Sequence, residues 1–199
     1  MYATYGPENS DYFVVLAPGD AGRLEDTGLT LISNGLANAG IRVIRFEFPF
    51  CESNDSEIRD KLLADEIRKA AAKKKTGQTL VLGGQSRGAR VSAGLVHELK
   101  ARALVGFAYP FHARSDPHPH GRERELAELN LPVLICQGTR DSHGNREQVA
   151  SYRLPKNIRL LWLEDANHAL HPRARSNTNQ EEQLKNASIV AGEFICSLV

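Results

Sequence analysis

A serine between two glycines is the first feature of this 199-residue sequence with a clear chemical use. The segment Gly84-Gln85-Ser86-Arg87-Gly88 follows an apolar run and precedes residues with helical spacing. This is the strand–turn–helix context of a nucleophile elbow, whose glycines let neighbouring backbone approach closely. The alternative is that Ser86 only caps the following helix, but a cap needs no glycine on both sides. We therefore expect Ser86 to act as a nucleophile.

A nucleophilic serine needs a base and a carboxylate that orients the base, and two later loops offer both. Asp141 and His168 each follow an apolar run, so both lie just beyond the carboxyl ends of predicted parallel strands, where open α/β sheets place their sites. The chain order Ser86, Asp141, His168 is the triad order of α/β-hydrolases rather than that of chymotrypsin or subtilisin. The competing bases are His143 and His171, and the competing acids are Glu164 and Asp165.

Six short apolar runs predict the strands that position these groups. They are Tyr12–Ala17, Ile41–Phe48, Thr79–Gly83, Ala103–Ala108, Pro132–Gln137 and Ile158–Leu163. Most are continuously apolar, which is typical of strands covered on both faces. The pattern predicts an α/β protein with a mainly parallel sheet of about six strands and helices on both faces.

Helical spacing marks five segments between and after these strands. One lies at residues 29–39, before Gly40, and a second begins at Asp55 or Ser56. The second is expected to bury Ile58, Leu62, Ile67 and Ala70. The other three are Ser86–Lys100, Asn145–Arg153 and Gln180–Leu198. Each is bounded by residues that favour helix ends, such as a glycine after the last turn or a side chain that accepts from the first amides.

Composition and charge exclude several function classes. Lys plus Arg exceed Asp plus Glu by 25 − 24 = 1, which gives no electrostatic case for nucleic acid or an anionic membrane. The first ten residues lack the features of a signal peptide, and no run approaches the ~18 apolar residues of a membrane span. Three cysteines are a poor disulfide framework and suit a reducing compartment. We expect one cytoplasmic domain over residues 1–199, of undetermined oligomeric state.

With these positions identified, the chain resembles an α/β-hydrolase. More narrowly, it resembles the small dienelactone-hydrolase-like group that includes the Tex30 and KANSL-type hydrolase domains. The matching segments are Val14–Gly22, Arg45–Phe50, Gly83–Arg90, Tyr109–His112, Gln137–Asp141 and Trp162–His168. The resemblance implies the compact form of the fold, without early antiparallel strands or a large lid domain. It also implies that Ser86, Asp141 and His168 are nucleophile, acid and base.

The oxyanion hole of this fold uses the amide after the nucleophile and one amide from the loop after the first core strand. In this chain these are the N–H of Arg87 and an N–H of Asp20 or Ala21. The usual His-Gly of that loop is Pro18-Gly19 here, and Pro18 has no N–H to donate.

Charged side chains near the same sheet edge suggest how a substrate is held. Arg87 or Arg90 is a candidate clamp for an anionic group. The alternative is that Glu47 pairs with an arginine as a structural bridge. We expect Glu47 and Arg90 to contact the substrate.

The connection from Tyr109 to Asn130 is long, with one short helix predicted at Glu123–Glu128. Long irregular loops in compact domains are often functional, so we expect Phe111 and His112 to shape the pocket mouth. Four polar residues on this loop match no strong zinc spacing, so no metal is expected: His112, Asp116, His118 and His120.

These features together predict a serine hydrolase of small acyl esters or thioesters, with a covalent acyl-enzyme and no cofactor. One alternative is a catalytically idle hydrolase scaffold used for protein interaction, because fold does not determine function. The other alternative is a cofactor-free perhydrolase with the same triad.

Overall fold

The computed structural model describes residues 1–20, 22–113 and 122–198. The strands within them are β1 (Tyr2–Tyr5), β2 (Tyr12–Ala17), β3 (Arg42–Phe46), β4 (Thr79–Gln85), β5 (Ala103–Phe107), β6 (Val133–Gly138) and β7 (Ile158–Leu163). The helices are α1 (Thr27–Asn38), α2 (Ser56–Ala71), α3 (Arg87–Leu95), α4 (Arg122–Ala127), α5 (Arg146–Ala150) and α6 (Gln180–Cys196).

The strands form one sheet in the order β1-β3-β2-β4-β5-β6-β7. Strands β2 to β7 pair in parallel, and β1 alone pairs antiparallel, with β3. The six predicted strands are therefore present, and the α/β fold class is confirmed. None of the described residues forms a lid domain over the carboxyl edge of the sheet.

Strand β1 corrects the expectation that no early antiparallel strand is present. It covers the edge of β3, with Tyr2 opposite Phe46 and Tyr5 opposite Val43. The ring of Tyr2 packs edge-to-face on Phe46, with 6.2 Å between centroids. Strand β1 could not be predicted because its four residues are at most half-buried and form only a weak hydrophobic pattern. The strand is stabilised mainly by pairing with the edge of β3, which would otherwise be open.

The sheet is buried on both faces because its strands alternate their apolar side chains between two layers. In β2, Phe13 and Val15 pack with α2 and α3, whereas Val14 and Leu16 pack with α1 and α6. This arrangement explains why the strands are continuously apolar in sequence. It also holds the ends of β4, β6 and β7 rigidly at one edge.

Helix α2 buries only two of the four predicted side chains, Ile67 and Ala70. Its N-cap is Asp55, as expected, but the buried side chains are Leu63, Ile67, Ala70 and Ala71. Ile58 is 48% exposed. It precedes Leu63 by five residues, which places it about 140° away around a helix of 3.6 residues per turn. The predicted face was wrong at Ile58 and, since Leu62 is only half-buried, also at Leu62.

The other helices also begin or end a few residues away from the predicted positions. Helix α3 ends at Leu95 rather than Lys100, α5 ends at Ala150, and α4 begins one residue earlier than predicted, at Arg122. Asn145 and Asn179 form capping boxes that fix the starts of α5 and α6.

Candidate active site

Ser86 lies at the turn between β4 and α3 with a strained backbone. Its φ is 52° and its ψ is −119°, a combination that costs on the order of 1–3 kcal/mol for a residue other than glycine. Its N–H donates to the carbonyl of Phe107 at 2.9 Å, and its side chain makes no capping hydrogen bond to α3. The helix-cap interpretation of Ser86 is therefore wrong, and the hydroxyl is available for other contacts.

The two glycines of the elbow are required by close backbone approach. A Cβ at Gly84 would lie 2.6 Å from the carbonyl carbon of Gly88, and one at Gly88 would lie 2.5 Å from the carbonyl oxygen of Ala17. Real Cβ atoms do not approach backbone this closely. The loop after β2, the end of β4 and the start of α3 therefore meet only because these positions carry no side chain.

A continuous chain of hydrogen bonds joins Ser86, His168 and Asp141. The Ser86 Oγ and the His168 Nε2 are 2.8 Å apart, and the His168 Nδ1 lies 2.9 Å from each carboxylate oxygen of Asp141. A carboxylate only accepts, so the proton of His168 resides on Nδ1 and Nε2 accepts from the serine hydroxyl. Asp141 is fully buried. The geometry is that of a nucleophile, base and orienting acid.

The loops that carry the acid and the base touch each other through a glycine. A Cβ at Gly138 would clash with the carbonyl oxygen of Ala166 and lie 2.9 Å from that of Asn167. The Arg140 N–H donates to the Ala166 carbonyl at 3.0 Å. The end of β6 and the loop after β7 are thus held together, which sets the distance between Asp141 and His168.

Three of the competing residues are occupied elsewhere. Glu164 pairs with Arg146 at 3.5 Å, and Asp165 pairs with Arg140 and Arg173. The hydrogen bond from Arg173 holds the pKa of the Asp165 carboxyl below its usual value. His171 contacts Gln180 with its Nε2, at 3.2 Å. None of the three touches Ser86.

The His143 side chain lies beside His168 and takes no part in the side-chain hydrogen bonds that join Ser86, His168 and Asp141. Its ring centroid is 4.2 Å from that of His168, and its Nδ1 donates to the carbonyl of His112 at 3.0 Å. Burial lowers the pKa of His143, and the hydrogen bond to His112 offsets this effect only in part. The neutral ring packs against His168 without adding a like charge.

Of the N–H groups expected to form the oxyanion hole, those of Arg87 and Asp20 lie within the described residues. Arg87 is the first residue of α3, so its N–H is one of the helix-terminal amides without an intrahelical acceptor. The Asp20 carboxylate accepts from Arg87 at 2.8 Å and from Arg59 at 3.0 Å. Burial disfavours ionisation of Asp20, but these hydrogen bonds outweigh it and lower its pKa. Ala21 lies outside the described residues, so the second donor stays a prediction.

The cleft in front of Ser86 is small, at about 160 Å³. The described residues that line it are Asp20, Ser56, Ser86, Arg87, Arg90, Pro110, Ala113, Arg122 and His143. The cleft places these polar and charged side chains beside the Ser86 hydroxyl.

Two predicted substrate-binding residues do not reach this cleft. Phe111 is 1% exposed and packs on Tyr109 and Tyr152, so it belongs to the core rather than to the pocket mouth. His112 is 5% exposed, with its Nδ1 at 2.9 Å from the Ala113 carbonyl. Both were predicted as mouth residues because they are on a long loop, but the start of that loop turns inward. Of the polar residues considered for metal binding, Asp116, His118 and His120 lie outside the described residues.

The prediction for Glu47 also needs correction. Glu47 lines a separate depression with Phe48 and Arg59, and it forms no ion pair within the described ranges. The arginines near Ser86 pair instead with Asp20 and Asp60. Arg90 does line the cleft, as expected.

Sequence reasoning missed Gln137, which supports the acid from inside the sheet. Gln137 is fully buried, and its Nε2 lies 3.0 Å from the Asp141 Oδ2, 3.0 Å from the Gly144 carbonyl and 3.2 Å from the Tyr109 carbonyl. The available signal was a polar residue at the end of an otherwise apolar strand.

Comparison with known proteins shows the family of this chain. The family described as "Alpha/beta hydrolase domain" matches residues 10–196. The chain belongs to the alpha/beta hydrolase family. No curated protein matches its sequence closely.

Solved alpha/beta hydrolases share the fold at low identity. An alpha-beta serine hydrolase homologue from Coxiella burnetii is 19% identical with a TM-score of 0.73, over 96% of this chain and 90% of its own. A serine hydrolase without a lid from Xanthomonas campestris is 20% identical with a TM-score of 0.73, over 98% and 87%. Est1E from Butyrivibrio proteoclasticus, solved with ferulic acid bound, is 14% identical with a TM-score of 0.73, over 99% and 96%.

The described residues of this alpha/beta hydrolase contain neither a membrane-spanning helix nor a metal-binding cluster. Among them, no helix has the length and hydropathy needed to cross a membrane. They also hold no group of three or more His, Cys, Asp or Glu side chains arranged to bind a metal ion.

Proposed function

We propose that this alpha/beta hydrolase cleaves small acyl esters or thioesters through a covalent acyl-enzyme. The observation that carries the proposal is the unbroken hydrogen-bond chain from the Ser86 Oγ through His168 to the buried Asp141, at 2.8 and 2.9 Å. The narrower resemblance to the dienelactone-hydrolase-like group is part of the same proposal.

In the first half of the reaction, His168 Nε2 takes the proton of Ser86 as the Oγ attacks the carbonyl carbon. The C–O bond to serine forms while the carbonyl π electrons move to oxygen. Asp141 holds the Nδ1–H and stabilises the imidazolium. When the tetrahedral intermediate collapses, the bond to the leaving alcohol or thiol breaks and His168 gives it the proton. The acyl group then resides on Ser86.

In the second half of the reaction, water is the nucleophile and Ser86 is the leaving group. His168 takes a proton from water, the resulting hydroxide attacks the acyl carbon, and Ser86 leaves with the proton held by His168. The Arg87 N–H and an amide of Asp20 or Ala21 would stabilise both oxyanions. Loss of one such donor typically lowers the rate by about 10²–10³.

The accessibility of Ser86 favours an enzyme over an idle scaffold. Ser86 is half-buried and borders the cleft, so a small ester can reach its hydroxyl. A perhydrolase would use the same triad with peroxide in place of water. Hydrolysis is the proposed reaction, and product analysis with and without added peroxide distinguishes the two.

Labelling with a fluorophosphonate tests the proposal. The probe reacts with activated serines, so we expect one adduct, on Ser86, and none in the Ser86→Ala variant. Ser142→Ala is the matched control, because Ser142 is exposed and adjacent to Asp141 but lies outside the hydrogen-bond chain. It should keep full labelling. An adduct on another serine, or no adduct with a folded protein, would refute the hydrolase assignment.

A further inference from the structure

The cleft beside Ser86 carries more positive than negative charge. Three arginines line it, together with one carboxylate: Arg87, Arg90, Arg122 and Asp20. Asp60 supplies a second carboxylate to two of these arginines, and Arg59 supplies a fourth guanidinium. The described cluster therefore has two positive charges in excess.

Two of the lining arginines are already paired. Arg87 donates from Nε to Asp20 at 2.8 Å and from Nη1 to Asp60 at 2.5 Å. Arg90 donates from Nη2 to both oxygens of Asp60, at 2.6 and 2.7 Å. Because these ion pairs occupy their donors and fix their positions, neither is the natural partner of an incoming anion. This changes the sequence prediction, which placed an anion clamp on Arg87 or Arg90.

Arg122 has no such partner. Its Nη1 donates to the Pro110 carbonyl at 3.3 Å, and within the described part of the chain no carboxylate lies within ion-pair distance of it. Its Nε and Nη2 have no acceptor there. Burial and then the positive charge of Arg90 lower its pKa, against weaker opposing effects of Tyr109, Glu125 and Asp60. The guanidinium stays charged, and none of the described carboxylates forms an ion pair with it.

The position of Arg122 separates it from an ordinary solvated arginine. Its side chain is half-buried at the wall of the cleft, whereas Arg124 on the same helix is exposed. Arg122 and Ser86 line the same cleft of about 160 Å³, so one small substrate can contact both side chains. A carboxylate matches the planar fork of a guanidinium and can accept two hydrogen bonds from it.

We propose that Arg122 binds a carboxylate carried by the substrate, so that the enzyme prefers half-esters or half-thioesters of short dicarboxylic acids. This inference rests on the proposed hydrolase function. It adds to that function the class of acyl group and the residue that selects it.

Paired esters and paired variants test the proposal. Mono-p-nitrophenyl glutarate carries a carboxylate, and p-nitrophenyl pentanoate has the same acyl length without it. In Arg122→Gln, kcat/KM for the glutarate ester should fall by about tenfold to a hundredfold, the usual range for a hydrogen-bonded charge. For the pentanoate ester it should change by less than about threefold. Arg124→Gln removes the same charge from the exposed side of the helix, where ion pairs contribute little, and should change either value by less than about threefold.

A binding measurement separates this inference from the hydrolase assignment. In the Ser86→Ala background, which cannot form an acyl-enzyme, both esters are titrated and backbone amide shifts are followed by NMR. We expect tighter binding of the glutarate ester and loss of that preference when Arg122→Gln is added. Equal binding of the two esters, or a preference that survives Arg122→Gln, overturns the carboxylate site even if the enzyme hydrolyses esters. Preferential binding without any hydrolysis by the wild type supports the site and refutes the hydrolase.

Discussion

The side-chain amide of Gln137 lies 3.0 Å from the carboxylate of Asp141, on the side of the acid that faces the interior of the sheet. The backbone N–H of His143 donates to the other carboxylate oxygen at 2.8 Å. The acid is therefore held from two directions before it meets His168. Because Asp141 has no contact with solvent, these donors determine where its oxygens lie.

Gln137→Leu should lower kcat by about tenfold or more with little change in KM, because a misplaced acid orients His168 poorly in the transition state. Gln78→Leu is the control, since Gln78 is also a buried glutamine that hydrogen-bonds backbone, far from the site. Both variants should lose about 1–3 kcal/mol of unfolding free energy from unsatisfied carbonyls. Equal loss of kcat in the two would show that Gln137 acts through stability alone.

His168→Ala should lower kcat by at least ~10³ with the fold preserved, as removal of a triad member does. His143→Ala and His171→Ala should each cost less than about tenfold, because neither touches Ser86 and both act only indirectly. Steady-state kinetics with p-nitrophenyl acetate measure kcat, and far-UV circular dichroism shows whether the fold is preserved. A loss in either neighbour as large as that of His168 would mean that the base is assigned wrongly.

Gly88→Ala should destabilise the protein by about 1–3 kcal/mol or more, because the new Cβ overlaps the carbonyls of Ala17 and Pro18. Gly94→Ala provides the control on the same helix. Gly94 is exposed, nothing lies within 4 Å of its added Cβ, and alanine there should stabilise by up to about 1 kcal/mol. Urea denaturation measures both. Equal effects of the two substitutions would contradict the close approach at the elbow.

The stability of the protein should fall on acidification partly because of His143. Burial lowers its pKa in the folded state below the ordinary 6.5, so the unfolded chain takes up the proton first. This contribution is fully present above about pH 6.5 and is lost as the pH falls toward the folded-state pKa. His143→Gln should therefore show a smaller drop in Tm between about pH 7.5 and about pH 5.5 than the wild type. An unchanged drop would mean that His143 is not buried as a neutral ring.

Much of the fold, and the three residues of the hydrogen-bond chain, could be predicted from local signals in the sequence. Continuous apolar runs marked six strands, and the glycines around Ser86 marked the elbow. Asp141 and His168 followed from their positions just after two of these runs. Such features depend on short segments and on the rule that parallel strands end at one edge.

Features that depend on distant side chains could not be predicted. Asp60 lies on α2, and nothing in the sequence indicates that it pairs with both Arg87 and Arg90. Phe111 is an apolar residue in a loop, and its burial against Tyr109 depends on how that loop turns. Gln137 was visible as a polar residue at a strand end, but its role depends on the loop that brings Asp141 back to it.

Trapping the acyl-enzyme tests the central claim most directly. The protein is mixed with p-nitrophenyl acetate, quenched in acid within the first turnovers and digested for mass spectrometry. We expect one acetyl group, on Ser86, and none in Ser86→Ala. If deacylation is the slower step, the acetyl-enzyme accumulates together with a burst of p-nitrophenol. Acetylation of another residue, or turnover by Ser86→Ala at the wild-type rate, would contradict it.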